Sequence, residues 1–240
     1  MPIRFIGLLC GGLLLVSGAT AMAGPINANI RVEGAKHTLV ANKSVTLAAA
    51  PLNKDGDPSH ACPGQSAAGA LEQGTGGAWS GTYDTGFSDY LVDTIKGEKH
   101  PGSPDYWTVW VNHKQSQTGV CQTSLKAGDD VLFFVDRCNY DAATQGCTNK
   151  PVVPLGVRVP AVTRVGKSFF VKVVEYSVTG ATKPVSGATI YANGKAQPKR
   201  TNAKGLLRVS ATKAGGVRFE ARKANHVRTE FVRTLIKKRS

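Results

Sequence analysis

The sequence predicts a mainly β chain of two small domains, an α+β unit followed by an all-β sandwich. Three observations carry this. Short segments of alternating apolar and polar residues recur along the whole chain. A single segment, Ser66 to Glu72, reads as a helix. The charge changes abruptly near residue 150. From Gly24 to Lys150 there are 10 Lys and Arg against 13 Asp and Glu, and from Pro151 to Ser240 there are 19 against 3, within a total net charge of +14. Such a jump marks a domain boundary. The Pro-bearing stretch Asn149 to Pro154 sits there as a short, stiff linker. The expected division is residues 1–23, 24–148, 149–154 and 155–240.

The first segment reads as a secretory signal peptide. Arg4 supplies a positive start, Phe5 to Val16 is apolar, and Ala21-Met-Ala23 offers a small-residue cleavage site. The apolar run is short for a membrane span, which needs about 20 residues. Export agrees with the cysteines. Cys10 lies in the signal, which leaves Cys62, Cys121, Cys138 and Cys147, an even number suited to an oxidising compartment. The residues between Cys138 and Cys147 read as one surface loop, so a Cys138–Cys147 bridge is favoured, leaving Cys62 with Cys121. No CxxC or close histidine pair suggests a metal site.

In the first domain, Ile26, Ile30 and Val32 share one parity of a half-buried strand, and Thr38–Ala41 and Ser44–Ala48 continue the β character. Ser66 is placed as the helix N-cap, with Gly74, Gly76 and Gly77 ending the helix. Tyr90 to Ile95 and Tyr106 to Asn112 are strands. In the second of these Trp107, Val109 and Val111 face one way and Tyr106, Thr108, Trp110 and Asn112 the other. Gly128-Asp-Asp turns the chain into Val131 to Val135. In the second domain, strands are expected at Val157–Val159, Ser168–Tyr176, Val185–Tyr191, Leu206–Ala211, Val217–Arg222 and Val227–Ile236, with an Asn193-Gly194 turn. Val217, Phe219 and Ala221 face in, while Arg218, Glu220 and Arg222 face out.

The motifs Gly69-Ala-Leu71, Gly77-Ala-Trp79, Ile95-Lys-Gly-Glu98, Tyr106-Trp107, Trp110-Val-Asn112, Gly119-Val-Cys121 and Gly128-Asp129, in that order, resemble the family named for the C-terminal domain of transcobalamin. The resemblance covers roughly residues 26–138 and implies a β-grasp-like, ligand-binding domain. In transcobalamin it forms half of a vitamin clamp whose helical half has no counterpart in this chain. Val185-Ser-Gly-Ala-Thr-Ile190, Thr201-Asn-Ala-Lys-Gly205 and Ala221 to Arg228 resemble bacterial Ig-like or carboxypeptidase-regulatory-like sandwiches, which implies a spacer or adhesion module. Asn202 and Lys204 stand where that family often has aspartates, which argues against calcium.

The residues themselves show no nucleophile–base pair, no cofactor motif and no metal cluster, so a non-catalytic role without cofactor is expected. The candidate ligand site is the aromatic set Trp79, Tyr106 and Trp110 with the Asn112 amide, which could stack on a glycan or flat ligand. The rival reading has both rings buried under the helix. The basic second domain points to polyanions, among them anionic cell-wall polymers, with Arg218 and Arg222 projecting together. Nucleic acid is disfavoured because the chain reads as exported and carries no nucleic-acid-binding motif. The expected function is therefore a secreted ligand-binding or cell-surface adhesion protein. The alternatives are a carrier of a flat, corrinoid-like ligand and an extracellular spacer.

Overall fold

A computed structural model describes residues 24–239, so the signal-peptide reading of residues 1–23 lies outside the described residues. The chain is mainly β, with one α-helix among the described residues. No helix among them is long and apolar enough to cross a membrane.

In chain order the first domain runs β1 (Ile26–Glu33), β2 (Thr38–Leu47), α1 (Ala67–Thr75), β3 (Trp79–Asp84), β4 (Asp89–Ile95), β5 (Glu98–Lys99), β6 (Pro101–Gly102), β7 (Asp105–Val111), β8 (Lys114–Gln115), β9 (Asp130–Arg137), β10 (Tyr140–Asp141) and β11 (Gly146–Cys147). Its main sheet has the order β2-β1-β9-β7-β6, with β8 on β7. The β1–β2 and β7–β9 pairs are antiparallel, and β1 runs parallel to β9. A hairpin, a crossing helix and a second antiparallel pair, with first and last strands side by side, make a grasp-like arrangement. The strands β3, β4 and β5 form a separate small sheet.

The helix starts where the Ser66 side chain accepts from the Gly69 amide at 3.4 Å and ends at Gly76, which has a φ of 66°. Gly74 lies inside the last turn rather than ending the helix. A Cβ there would stand 2.8 Å from Ile30 Cγ2, so the glycine lets α1 lie close on β1. Between helix and sheet, Ile30, Val32, Leu47, Leu71, Trp107, Val109 and Phe133 form the first core. Cys62 pairs with Cys121 and Cys138 with Cys147, with Cα–Cα distances of 4.7 and 5.0 Å.

The second domain runs β12 (Val153–Arg158), β13 (Val162–Arg164), β14 (Ser168–Tyr176), β15 (Thr182–Pro184), β16 (Thr189–Ala192), β17 (Lys195–Arg200), β18 (Leu206–Ser210), β19 (Gly215–Arg222), β20 (His226–Val227) and β21 (Val232–Lys237). Two sheets, β15-β14-β12-β20 with β18 on β14 and β13-β21-β19-β16-β17, enclose Leu155, Val171, Val173, Ile190, Leu207, Phe219 and Ala221. Asn193 and Gly194, with φ of 48° and 80°, make the two-residue turn between β16 and β17.

Two expectations change here. The sandwich begins at Val153, inside the expected linker, because the Val152 amide donates to Asp136 Oδ1 at 2.7 Å and Val153 pairs with His226. The single strand expected from Val227 to Ile236 is two strands in different sheets. Thr229 separates them, and its hydroxyl accepts from the Ala221 amide at 2.8 Å.

A third cluster joins the domains. Trp110, Phe134 and Val227 are buried together, with Leu132, Val152, Val153 and Tyr176 packed around them.

Candidate functional site

The face of the first sheet turned away from α1 carries Tyr106, Thr108 and Trp110 on β7, Leu132, Phe134 and Asp136 on β9, and Arg31 and Glu33 on β1. Register places Arg31, Leu132 and Trp110 in one row and Glu33, Phe134 and Thr108 in the next. The second domain covers this face. Trp110 is only 1% exposed. Its ring meets Phe134 at 5.7 Å between centroids. The expected open aromatic platform is therefore absent. The helix covers the Trp107 face and the second domain covers the Trp110 face.

The other members of the expected ligand set are also committed. The Trp79 indole N–H donates to Glu72 Oε2 at 2.7 Å, and Lys54 Nζ lies 4.8 Å over its ring. Trp79 thus closes the first core rather than standing beside Trp110. The half-buried Tyr106 hydroxyl donates to Asp136 Oδ2 at 3.1 Å, and burial together with that carboxylate pushes the phenol pKa up to about 12. Asn112 is exposed, but it forms the tight turn with His113 between β7 and β8. Its amide donates to Asp129 Oδ1 at 2.7 Å and accepts from the Asp130 amide at 3.0 Å. The structure does not bring the four together.

Charged groups fill the covered face. Glu33, 3% exposed, accepts from Thr38 and pairs with Arg31 at 3.3 Å and with Arg228 of the second domain at 2.9 Å. Arg31 Nε lies 3.6 Å from Glu230 Oε1, and its Nη1 donates to the Arg228 carbonyl at 3.2 Å. Burial raises the Glu33 pKa above its ordinary value, against the pull of the two arginines, and lowers that of Arg31. Beside this cluster runs a cleft of about 930 Å³ between the domains. Its carboxylates Glu33, Asp105, Asp136 and Glu175 are all paired or hydrogen-bonded within the protein.

The second domain has three carboxylates, and each is occupied. Glu175 pairs with Lys183 and with His226, both at 2.8 Å, and these partners hold its pKa below the usual range although burial pushes it up. Glu220 pairs with Arg222, and Glu230 reaches Arg31 and Asn42 of the first domain. Glu175 lines the interdomain cleft, and Glu220 lies within the field of Arg31 and Glu33. All three acids thus lie toward the first domain. Apart from Lys183, Arg222, His226 and Arg228, the basic side chains of the second domain have no carboxylate within 4 Å among the described residues.

The two arginines expected to act together both project from β19 and are exposed, but Arg222 is ion-paired with Glu220 and Arg218 is not. Arg218 projects outward and is exposed, its guanidinium 5.2 Å over the Phe231 ring. Arg222 is held by Glu220 and lies 4.5 Å over Tyr191. Glu220, expected to face solvent, is only 3% exposed. The direct neighbour of Arg218 in register is instead Arg233, which sequence reasoning missed. The alternation Phe231-Val-Arg-Thr-Leu-Ile-Lys237 held the signal, since its odd positions share a face.

In the loop before α1, Asp55 Oδ2 meets His60 Nδ1 at 2.7 Å and the Asp57 side chain accepts from the Ser59 amide at 2.9 Å. No three His, Cys, Asp or Glu side chains converge on a metal-sized site among the described residues.

No family model and no curated protein matches the chain. Among solved structures, the crystal structure of a candidate metal-binding protein from Ruminococcus gnavus is similar at a TM-score of 0.33 and 12% identity, covering 47% of this chain and 97% of that one. Likeness at that level decides neither fold nor function.

Proposed function

We propose that the chain is a non-catalytic protein of the cell exterior that grips a polyanionic surface, such as an anionic wall polymer, through its second domain. One observation carries this reading: the three acids of that domain are drawn toward the first domain, and the remaining surface keeps its positive charge uncompensated. A field of one sign draws polyanions and depends on salt. The two disulfides suit an oxidising compartment outside the cytoplasm. The first domain acts in this reading as the partner that neutralises the acidic side of the sandwich and fixes its orientation. The carrier reading loses support, because the face it relied on lies under the second domain.

The test is a titration of the full chain with long-chain polyphosphate across a salt series. Binding is expected at low salt. If six or more phosphates are contacted, affinity should fall by roughly a thousandfold between about 50 and 200 mM salt. No binding at low salt, or binding indifferent to salt, contradicts the reading.

A further inference from the structure

The basic surface is not uniform. The outer face of the β13-β21-β19 part of the second sheet combines cations with bare apolar side chains. On β21, Arg233, Leu235 and Lys237 point outward in one row, continued by Phe231. Arg233 stands directly opposite Arg218 on β19. Like charges in that position repel and weaken the sheet. Leu235 stands between Gly216 on one side and Val162 on the other, and Lys237 beside Arg164. Gly216 has no side chain to shield Leu235, and nothing lies within 4 Å of where its Cβ would be. Phe231 is 54% exposed, and Leu235 and Val162 are each 48% exposed.

We infer that this sheet face docks on an anionic phospholipid surface, an inference that rests on the reading of the second domain as the polyanion-binding part. A soluble polyanion would use the cations and leave Phe231, Leu235 and Val162 in water. A bilayer surface uses both. Phosphate headgroups neutralise Arg218, Arg233, Arg164 and Lys237, which removes the Arg–Arg repulsion. The three apolar side chains enter the boundary between headgroups and acyl chains, where burial of apolar area adds to the electrostatic attraction. The aliphatic stems of the arginines and lysine can lie along that apolar patch while their charged ends reach the headgroups. The only carboxylate in the outward row of β19, Glu220, is buried against Arg222 and offers no repulsion to the surface.

The experiment is co-sedimentation of the full chain with vesicles of phosphatidylcholine alone, vesicles of phosphatidylcholine with about one third phosphatidylglycerol, and, in parallel, binding to polyphosphate. The expected result is binding to the phosphatidylglycerol vesicles and not to the neutral ones. The double variant Phe231→Ser/Leu235→Ser should lose about tenfold or more in vesicle binding and keep its polyphosphate affinity. Arg218→Glu/Arg233→Glu should lose both. These side chains stand outside the core, so the variants should melt with the parent; if the double serine variant does not fold, Val162→Ser provides a second apolar deletion on the neighbouring strand. Polyphosphate binding without vesicle binding, or vesicle binding indifferent to the serine variants, overturns the lipid inference and leaves the polyanion reading standing. Binding to neither overturns both.

Discussion

Each domain has a sheet whose outer face mixes aromatic and charged residues, and the two faces meet opposite fates. On the first sheet Trp110, Phe134, Arg31 and Glu33 lie beneath the second domain, and the cations are matched by carboxylates from both sides. On the second sheet Phe231, Leu235, Arg218 and Arg233 remain open, and the cations face only each other. Strand parity assigns a side chain to a face. What covers that face is decided elsewhere in the chain. The difference teaches that a matched, covered face contributes to stability, while an unmatched, open one is available for a partner.

The largest effects should come from the covered face. Trp110→Ala removes a fully buried ring from the interdomain cluster and should cost about 3–5 kcal/mol, read by denaturant unfolding. A loss below about 1 kcal/mol would mean that the domains do not pack as described. Glu33→Ala leaves the Arg31 guanidinium buried without its principal partner and should cost a similar amount. If the same variant is neutral, water reaches that cluster.

A smaller effect concerns pH. His113 stacks on Tyr176 across the interface at 4.1 Å, and burial lowers its pKa below the ordinary 6.5, although Asp130 and Glu230 pull it back up. A lowered histidine pKa means that the folded state binds fewer protons than the unfolded one. Its contribution is present above 6.5 and is lost as pH falls through the lowered value. Glu33 acts in the opposite sense, with a contribution present below 4.5 and lost as pH rises through its raised value. The informative quantity is therefore the difference in melting temperature between the parent and His113→Gln at pH 7.5 and at pH 5.5. That difference should shrink on acidification. A constant difference would show that the ring titrates as it does in water.

The smallest effect belongs to the open face. Phe231→Ser and Arg218→Ala should each change stability by no more than about 0.5 kcal/mol, since neither side chain contributes to a core. A large loss there would show that the second sheet is also covered.

What the sequence made legible was local. The β1 strand, the Ser66 cap, the Asn193-Gly194 turn and the inward row of Phe219 and Ala221 follow from periodicity and turn chemistry, and the structure has them. The bridges read from the Cys138–Cys147 loop are the pairs observed. What escaped was non-local. Arg31 and Glu33 alternate with apolar residues in β1 as solvent-facing residues would, yet their cover comes from Arg228 and Glu230, almost 200 residues later. One signal did point there. The run Val131-Leu-Phe-Phe-Val135 is apolar on both parities, the pattern of a strand buried on both faces. Gly74 inside the helix escaped for a similar reason, since its close neighbour Ile30 lies on another element.

Hydroxyl-radical footprinting of the full chain, alone and with excess vesicles of phosphatidylcholine and phosphatidylglycerol at low salt, tests the contrast between the two faces most directly. Trp110 should stay unmodified in both conditions despite the high intrinsic reactivity of indole, because it is 1% exposed. Phe231 and Leu235 should be oxidised in the free chain and protected when the anionic bilayer surface covers them together with Arg218 and Arg233. Oxidation of Trp110 as fast as that of Phe231, or a vesicle-bound chain whose Phe231 and Leu235 react as freely as before, would contradict the account.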